Sequence, residues 1–503
     1  MENVNPQTLL AGWTRLACAV GFSIAASLLL PCAALAVTFT VNSTDDGADV
    51  NPGDGKCSAV ATPAPPVCTL RAAIMEANRA PNLGAIIKLP ASAVPYTLQI
   101  FPHDSDGEYN GDLNLFTPAG YTPGPVQIIG DGAAVTIIDA NGIDRILSIE
   151  GGRTVSISGV TLRNGFTSSS GGAIYCDGHL TLTDVEVTDN TSTSSSGGGI
   201  YGEISSVLFV NHSVLSGNKA SSGGGIAAEH NSATVTESIL TDNHANAFGG
   251  GIYTSGELTL DRSTLSGNTA AFGGGLGLPQ AIDQIDANVS GSTISGNWAS
   301  QSGGGISNDG TSLNVINSTI AGNSAQIDGG GIYNLSTINV YNSTIAYNQS
   351  DSNGDGIGAG PGVFNTAGAV FNLRNSVVAG NHYPGPYGLT LYNDCHGALT
   401  SYGANRFYSF TDCSVTQSGA GSATQLVPSA SMGALQDNGG TTLTIALKPA
   451  PNANLIDFAL ACSDQNNATL TTDQRGRKRI VGASCDVGAF EYDAGDIFIN
   501  GFQ

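Results

Sequence analysis

Gly197-Gly198-Gly199-Ile200, Gly223-Gly224-Gly225-Ile226 and Gly249-Gly250-Gly251-Ile252 stand 26 residues apart, and their reading decides the fold. The series opens at Gly171-Gly172-Ala173-Ile174 and continues through triplets ending at Leu276, Ile306 and Ile332, at spacings of 24, 30 and 26. A second signature runs out of phase with it, Ser/Thr-apolar-x-x-Asn, as in Thr264-Leu265-Ser266-Gly267-Asn268. Its asparagines are Asn164, Asn190, Asn218, Asn243, Asn268, Asn297, Asn323, Asn348 and Asn381. Two markers on one period define a repeated supersecondary unit.

Between the markers the residues alternate as strands do: Leu180-Thr-Leu-Thr-Asp-Val-Glu-Val187, Leu258-Thr-Leu260, Leu313-Asn-Val-Ile316 and Ile338-Asn-Val340. Short β-branched runs bounded by Gly, Asn and Ser read as strands and turns, and the 3.6-residue stripes of a helical solenoid are missing. Each repeat then holds two or three short strands that pair in parallel with the next repeat. The expected fold is all-β, a right-handed parallel β-helix, because parallel crossovers take that hand. Nine turns at ~4.8 Å give a rod roughly 40 Å long before its ends are added. Successive glycines permit positive φ and close approach of stacked turns. The Ile that follows points inward onto its equivalents, each burial contributing roughly 1.5–3 kcal/mol. The recurrent Asn is expected in a left-handed turn conformation, handing amide hydrogen bonds along a ladder.

A solenoid exposes strand edges at both ends unless they are covered. Thr69-Leu-Arg-Ala-Ala-Ile-Met-Glu-Ala-Asn78 is the best helix in the chain and is expected to cap the first turn. The repeat fades at about residue 391. The expected division is a signal segment 1–36, an N-terminal cap 37–124, the repeats 125–390, a C-terminal cap 391–492 and a tail 493–503.

Gly makes up 68 of 503 residues and apolar residues 41%, which suits a packed β-structure rather than a disordered chain. Charged residues are only 11%, 17 basic against 40 acidic, for a net charge of −23. That balance argues against nucleic acid and anionic membrane surfaces as partners. At the N-terminus, Arg15 precedes the apolar run Leu16 to Leu30, Pro31 breaks it, and Ala34-Leu35-Ala36 forms a cleavage site, so a secretory signal is expected. The alternatives are an uncleaved anchor and, at Cys32, a lipoprotein signal. Beyond that segment the cysteines fall into close pairs, Cys57/Cys68, Cys395/Cys413 and Cys462/Cys485, expected as disulfides of an exported chain. Cys176 is left over, as a small buried hydrophobe.

Asp351-Ser-Asn353-Gly-Asp355-Gly356 matches the first half of a calcium loop, alternating oxygen ligands before a Gly turn, though position twelve is Gly362 rather than Glu. Asp104-Ser-Asp106-Gly107 with Asp112 is a second calcium candidate, and Asp45, Asp46, Asp49 and Asp54 form a third acidic loop. Ca2+ is therefore the one cofactor expected, stiffening loops. The seven histidines show no zinc spacing. No catalytic constellation emerges. A β-helix lyase needs calcium-binding acids with an Arg or Lys base, and an inverting hydrolase needs carboxylates ~6.5–9.5 Å apart. Residues 151–390 hold only Arg153, Arg163, Lys219, Arg262 and Arg374 as bases, none in phase with an acidic cluster.

Val37-Thr-Phe-Thr-Val-Asn-Ser-Thr-Asp45, Asn51-Pro-Gly-Asp-Gly-Lys-Cys57 and Cys68-Thr-Leu-Arg-Ala-Ala-Ile-Met-Glu-Ala-Asn78 together resemble the bacterial CSLREA domain, whose hexapeptide here has Thr for Ser and Ala for Glu. Gly111-Asp-Leu-Asn-Leu115 through Asp144-Arg-Ile-Leu147 is similar to that family's lead-in to a β-helix. Asp437-Asn-Gly-Gly-Thr441, Thr472-Asp-Gln-Arg-Gly-Arg-Lys-Arg479 and Cys485-Asp-Val-Gly-Ala-Phe-Glu491 resemble the choice-of-anchor Q region of surface proteins. The glycine repeats are similar to those of polymorphic outer-membrane proteins, and the last eight residues to short sorting tails. These resemblances imply a secreted or surface-displayed protein of a Gram-negative bacterium and no defined activity. The expected role is non-enzymatic adhesion to, or binding of, extracellular polysaccharide or a host or matrix surface. A pectate-lyase-like or glycoside-hydrolase enzyme is the alternative, and an autotransporter passenger is disfavoured because no barrel-sized set of strands follows the repeats.

Overall fold

The structure, a computed structural model, describes residues 36–61, 65–80, 84–102, 107–122, 124–280, 286–418, 425–426 (backbone only), 431–449, 455–459 and 461–495. The expected signal segment, Asp104, Asp106, His103 and the tail from 496 onward lie outside the described residues.

The chain forms a parallel β-helix with three sides. One turn illustrates all of them: Ile200–Gly202 and Val207–Asn211 lie on side one, Val214–Ser216 on side two and Lys219–Ala220 on side three. Each strand pairs in parallel with its equivalent a repeat later, Ile200 with Ile226, Leu208 with Ala233, Leu215 with Leu240 and Ala220 with Ala245. Side two alone counts thirteen strands among the described residues, a rod of roughly 60 Å at ~4.8 Å per turn. The triplet Ile residues stack inside as expected: Ile174, Ile200, Ile226, Ile252, Leu276, Ile306 and Ile332 are all fully buried.

The three glycines do different jobs. At Gly249-Gly250-Gly251 only the first has positive φ, 63°. A Cβ on Gly250 would lie 2.5 Å from the carbonyl oxygens of Gly274 and Thr269, and one on Gly251 2.8 Å from that of Gly275. The second and third are glycine because successive turns touch there.

The asparagine expectation needs correcting at one point. Asn190, Asn218, Asn243, Asn268, Asn297, Asn323, Asn348 and Asn381 do form a buried amide ladder, with Nδ2–Oδ1 distances of 2.9–3.0 Å. Asn164, whose amide bonds Asp139, is itself left-handed as expected, with φ of 58°. In the eight of the ladder, however, the left-handed residue is the one before each: Asp189, Gly217, Asp242, Gly267, Gly296, Gly322, Tyr347 and Gly380. The corner turns there, which leaves the Asn free to point inward. A second corner repeats the scheme with serine. Ser213, Ser238, Ser263, Ser292, Ser318 and Ser343 each accept the backbone N–H of the equivalent residue one turn earlier, at 3.0–3.1 Å. Their preceding residues, among them His212, Glu237, Arg262 and Asn317, again have positive φ.

The coil extends beyond both expected boundaries. Val37–Thr40 already pairs with Ala85–Leu89, and that strand with Val126–Gly130, so the N-terminal cap contributes turns of its own. The helix Leu70–Asn78 is N-capped by Thr69, whose hydroxyl accepts the Ala72 N–H, and it packs on Ala85–Leu89 and Leu113–Leu115. Arg71 explains the motif around it. Fully buried, it holds Asp46 through Nε and Nη2 at 2.7 and 3.1 Å and donates to the carbonyls of Gly111 and Asp112. At the other end, Cys395–Ser401 and Asp412–Gln417 add two more parallel strands to side one.

All three expected disulfides are present, Cys57–Cys68, Cys395–Cys413 and Cys462–Cys485, and Cys176 is free and buried. The C-terminal region is disulfide-tied as expected, but residues 431–492 do not simply plug the end. They fold back along side two, where Met432, Ile445, Leu455, Val487 and Phe490 share an apolar cluster with Ala321, Ala346 and Val377 of the coil. Gln474 is the hub of that contact. Its Oε1 accepts the Thr319 hydroxyl at 2.6 Å, and its Nε2 donates to Thr293 Oγ1 and Thr442 Oγ1 at 2.9 Å.

Candidate functional site

The first strand of side one is three residues long in most turns, with its middle side chain turned away from the core, where Ser148, Tyr201 and Ala227 are nonetheless buried and Tyr175 and Tyr253 half-buried. Register aligns those middle residues into one column: Ser148, Tyr175, Tyr201, Ala227, Tyr253 and, further on, Tyr333, Phe364 and His396. Two residues after each of the first four comes an acid, giving Glu150, Asp177, Glu203 and Glu229. Four successive turns thus carry an acid at this position, and in two of them, at Tyr175 and Tyr201, it forms a Tyr-x-acid pair directly after the glycine-rich turn.

Tyr175 and Tyr201 stack with ring centroids 5.7 Å apart and planes 19° from parallel. Each phenol donates to the carboxylate one turn on, Tyr175 to Glu203 at 3.0 Å and Tyr201 to Glu229 at 3.1 Å. Burial, then the bond to Glu203, pushes the Tyr175 phenol up to about 12. Burial and Glu229 push Tyr201 up as well, and burial with Glu229 does the same to Tyr253. These phenols remain protonated donors at neutral pH, and they hold two carboxylates in place along the strip.

At its N-terminal end the strip opens into a cleft of about 530 Å³ lined by Arg145, Ser148, Glu150, Gly151, Ser169, Ser170, Tyr175 and Asp177. Among the described residues Arg145 is the one cation lining it, and each of its three nitrogens already donates a hydrogen bond. Nη1 pairs with Asp112 at 2.8 Å, Nε donates to the Gly171 carbonyl at 3.0 Å, and Nη2 donates to Ser169 Oγ at 2.7 Å. The guanidinium also lies 5.5 Å from the Tyr175 ring centre. The cleft thus presents an aromatic body, hydroxyls and carboxylates.

Toward the other end Tyr333, Phe364 and His396 stack at 5.5 and 4.6 Å, near Asp309 and Asp328, whose carboxyls burial pushes up. The second strand series of side one is of another kind. Its central outward column reads Ser156, Thr181, Phe209, Thr234, Thr259, then Asn288, Asn314, Asn339 and Asn372, the asparagines linked amide to amide at 2.8–3.0 Å. That column carries no Asp, Glu, Arg or Lys.

The calcium candidates are placed as follows. Asp351 is buried and its carboxylate accepts the Gly356 N–H, while Asp355 accepts the Ile357 N–H and the Asn353 amide. The loop is a polar turn whose acids bond within it. Asp112 is engaged with Arg145, and its candidate partners Asp104 and Asp106 fall outside the described residues. In the third acidic loop, Asp46 pairs with Arg71, and Asp49 accepts the N–H groups of Asn51 and Ser58. Among the described residues no group of three or more His, Cys, Asp or Glu is arranged to hold a metal ion.

The bases of the repeats are also accounted for. Arg153 is buried inside the coil, Arg163 pairs with Asp139, Arg262 pairs with Glu237 and Asp261, and Arg374 donates to Ser463 and Asn467 of the folded-back segment. Lys219 is exposed on side three, away from the strip.

No protein-family model matches the chain, and no curated protein does. Among solved structures it is similar to pectate lyase Pel9A, with a TM-score of 0.43 and 13% identity over 91% of this chain and 98% of that one. It is also similar to the A-module of the Azotobacter vinelandii mannuronan C-5 epimerase AlgE6, with a TM-score of 0.38 and 14% identity over 68% and 89%. At such identities the likeness is one of architecture.

Proposed function

We propose that the protein is an exported, surface-displayed β-helix that binds an extended polysaccharide along the tyrosine–carboxylate strip of side one, without cleaving it. The observation that carries this reading is the stacked pair Tyr175–Tyr201 with its phenols fixed on Glu203 and Glu229, continuous with the cleft at Arg145. A sugar ring needs an apolar surface for its C–H groups and fixed acceptors for its hydroxyls, and amphipathic aromatics beside convergent polar groups supply both. A solenoid repeats that provision every turn, which suits a polymer better than a small molecule. Three disulfides fit an oxidising compartment. The resemblance of the two ends to CSLREA and choice-of-anchor Q regions supports display at a bacterial surface.

The test is binding of the full chain to a panel of immobilised polysaccharides, with Tyr175→Ala and Tyr201→Ala as variants. Binding that falls about tenfold or more in these variants, while their melting curves stay cooperative, supports the strip. Binding that is unaffected moves the site elsewhere. The same panel is assayed for new reducing ends and for unsaturated products. Robust turnover would replace the binding role with that of a carbohydrate-active enzyme.

A further inference from the structure

We infer that the polymer is cationic: a polysaccharide of β-linked amino sugars whose protonated amines meet the carboxylates Asp177, Glu203 and Glu229. This rests on the polysaccharide-binding reading above and adds the ligand's charge to it.

Three features of the strip lead there. First, its acids are regularly placed. Asp177, Glu203 and Glu229 occupy equivalent positions in three consecutive turns, so they recur at ~4.8 Å along the axis. A polymer whose sugar rings repeat near ~4.8 Å would set one ring against each turn. Second, two of the three are held by neutral partners. The Tyr175 and Tyr201 phenols orient Glu203 and Glu229 without cancelling their charge. Third, the only cation lining the cleft among the described residues is already paired. Arg145 is neutralised by Asp112 and donates its other N–H groups to Ser169, Ser170 and Gly171. Among the described residues a uronate would meet three carboxylates and, as the lining cation, only an Arg145 already paired with Asp112. An ammonium group on a sugar would meet a fixed carboxylate, aided by the chain's net charge of −23.

The experiment titrates the full chain by calorimetry at about pH 5.5, where sugar amines are protonated, with three hexasaccharides: glucosamine, its fully N-acetylated form and galacturonate. The glucosamine oligomer should bind at least tenfold more tightly than the acetylated one and weaken severalfold as salt rises from about 0.05 to 0.5 M, because screening shortens the reach of the carboxylates. Galacturonate should not bind. The paired substitution Asp177→Asn with Glu203→Gln keeps an acceptor for Tyr175 and removes two charges. It should erase the preference for glucosamine over the acetylated oligomer. Equal or tighter binding of the acetylated oligomer, still lost in Tyr201→Ala, would overturn the cationic ligand and leave the polysaccharide reading standing. Binding of galacturonate overturns the charge argument as well. If none of the three binds, both readings fall.

Discussion

Asn381 gives both its backbone N–H and its side-chain amide to one oxygen of the Asp394 carboxylate, at 3.1 and 2.9 Å. Every earlier rung of that ladder ends on another asparagine, which accepts from the turn before it and donates onward. The last rung has no later turn of the ladder to donate to. A carboxylate, which only accepts, meets that requirement, and its second oxygen takes the N–H groups of Tyr408 and Ser409 at 2.6 and 2.7 Å. Four buried donors thus converge on one residue at the place where the repeat stops.

Asp394→Asn should therefore be costly despite its near-identical shape. One of its two positions becomes an NH2 group that faces either Asn381 or the Tyr408 and Ser409 N–H groups, donor against donor. The expected loss is about 2 kcal/mol, in the range for a buried group left unsatisfied, and Asp394→Ala should lose more. Burial pushes Asp394 up to about 7, so urea midpoints at about pH 8.5, where it is ionised, check this. An asparagine variant as stable as the parent would show that the ladder does not need an acceptor-only terminus.

Two glycines separate the close-contact argument from the φ argument. Gly250→Ala places a Cβ 2.5 Å from two carbonyl oxygens of the coil and should cost roughly 3 kcal/mol or more. Gly322 has φ of 65° but nothing within 4 Å of its Cβ position, so Gly322→Asn should cost about 1 kcal/mol or less. Thermal unfolding of the two variants side by side is the measurement. Equal effects would mean that contact between turns is not what selects the second glycine.

The β-helix was legible because Gly-Gly-Gly-Ile and the ladder asparagines are rare combinations repeated in phase. The serine ladder was not. Serine is common in this chain, and the corner residues before it, such as His212, Glu237 and Arg262, share no chemistry, only a backbone conformation. The site was partly legible, since Tyr-x-acid follows the triplet at Ile174 and Ile200, but the stacking and the phenol–carboxylate bonds become visible only in register. The fold-back of residues 431–492 could not be read, because its bonds join residues as distant as Thr319 and Gln474, which no local pattern announces. The calcium reading of Asp351 to Asp355 rests on a half-motif, and in the structure those acids accept N–H groups of their own turn.

Gln474→Ala should loosen the folded-back segment selectively. It removes the acceptor of the Thr319 hydroxyl and the donor to Thr293, Thr442 and the carbonyls of Ser292 and Leu443. Hydrogen exchange should then speed up by tenfold or more in 431–492, while Ile200–Gly202 and its neighbours in the coil stay protected. Uniform acceleration across the coil would show instead that the segment and the solenoid unfold as one unit.

Arg71→Lys is not a conservative change here. The guanidinium spans Asp46 and two carbonyls 40 residues away, and an ammonium group cannot match that fork. Breaking a buried pair in this way is expected to cost about 3 kcal/mol, seen as a lowered midpoint and faster proteolysis of residues before 124. If the midpoint is unchanged, the motif Arg is not what fastens the first turns.

Stability should fall as pH rises from about 4 to 7. Burial pushes Asp486 up to about 6 and Glu491 up to about 7, against ordinary carboxylate values near ~4. Facing them are the buried Asp473, Arg475 and Arg479 and the exposed Asp457, so that acids outnumber bases. Because both pKa values are raised in the folded state, the native protein holds protons that the unfolded chain has already released between about pH 4 and 7. The unfolding free energy therefore decreases across that interval and levels off above it. Melting temperatures at pH 5, 6, 7 and 8 should follow this course, and Glu491→Gln should flatten it even though the variant is less stable at every pH. A parent protein whose melting temperature climbs from pH 5 to 8 would mean that the carboxylates are ionised in the fold, held by Arg475 and Arg479 more strongly than burial opposes them.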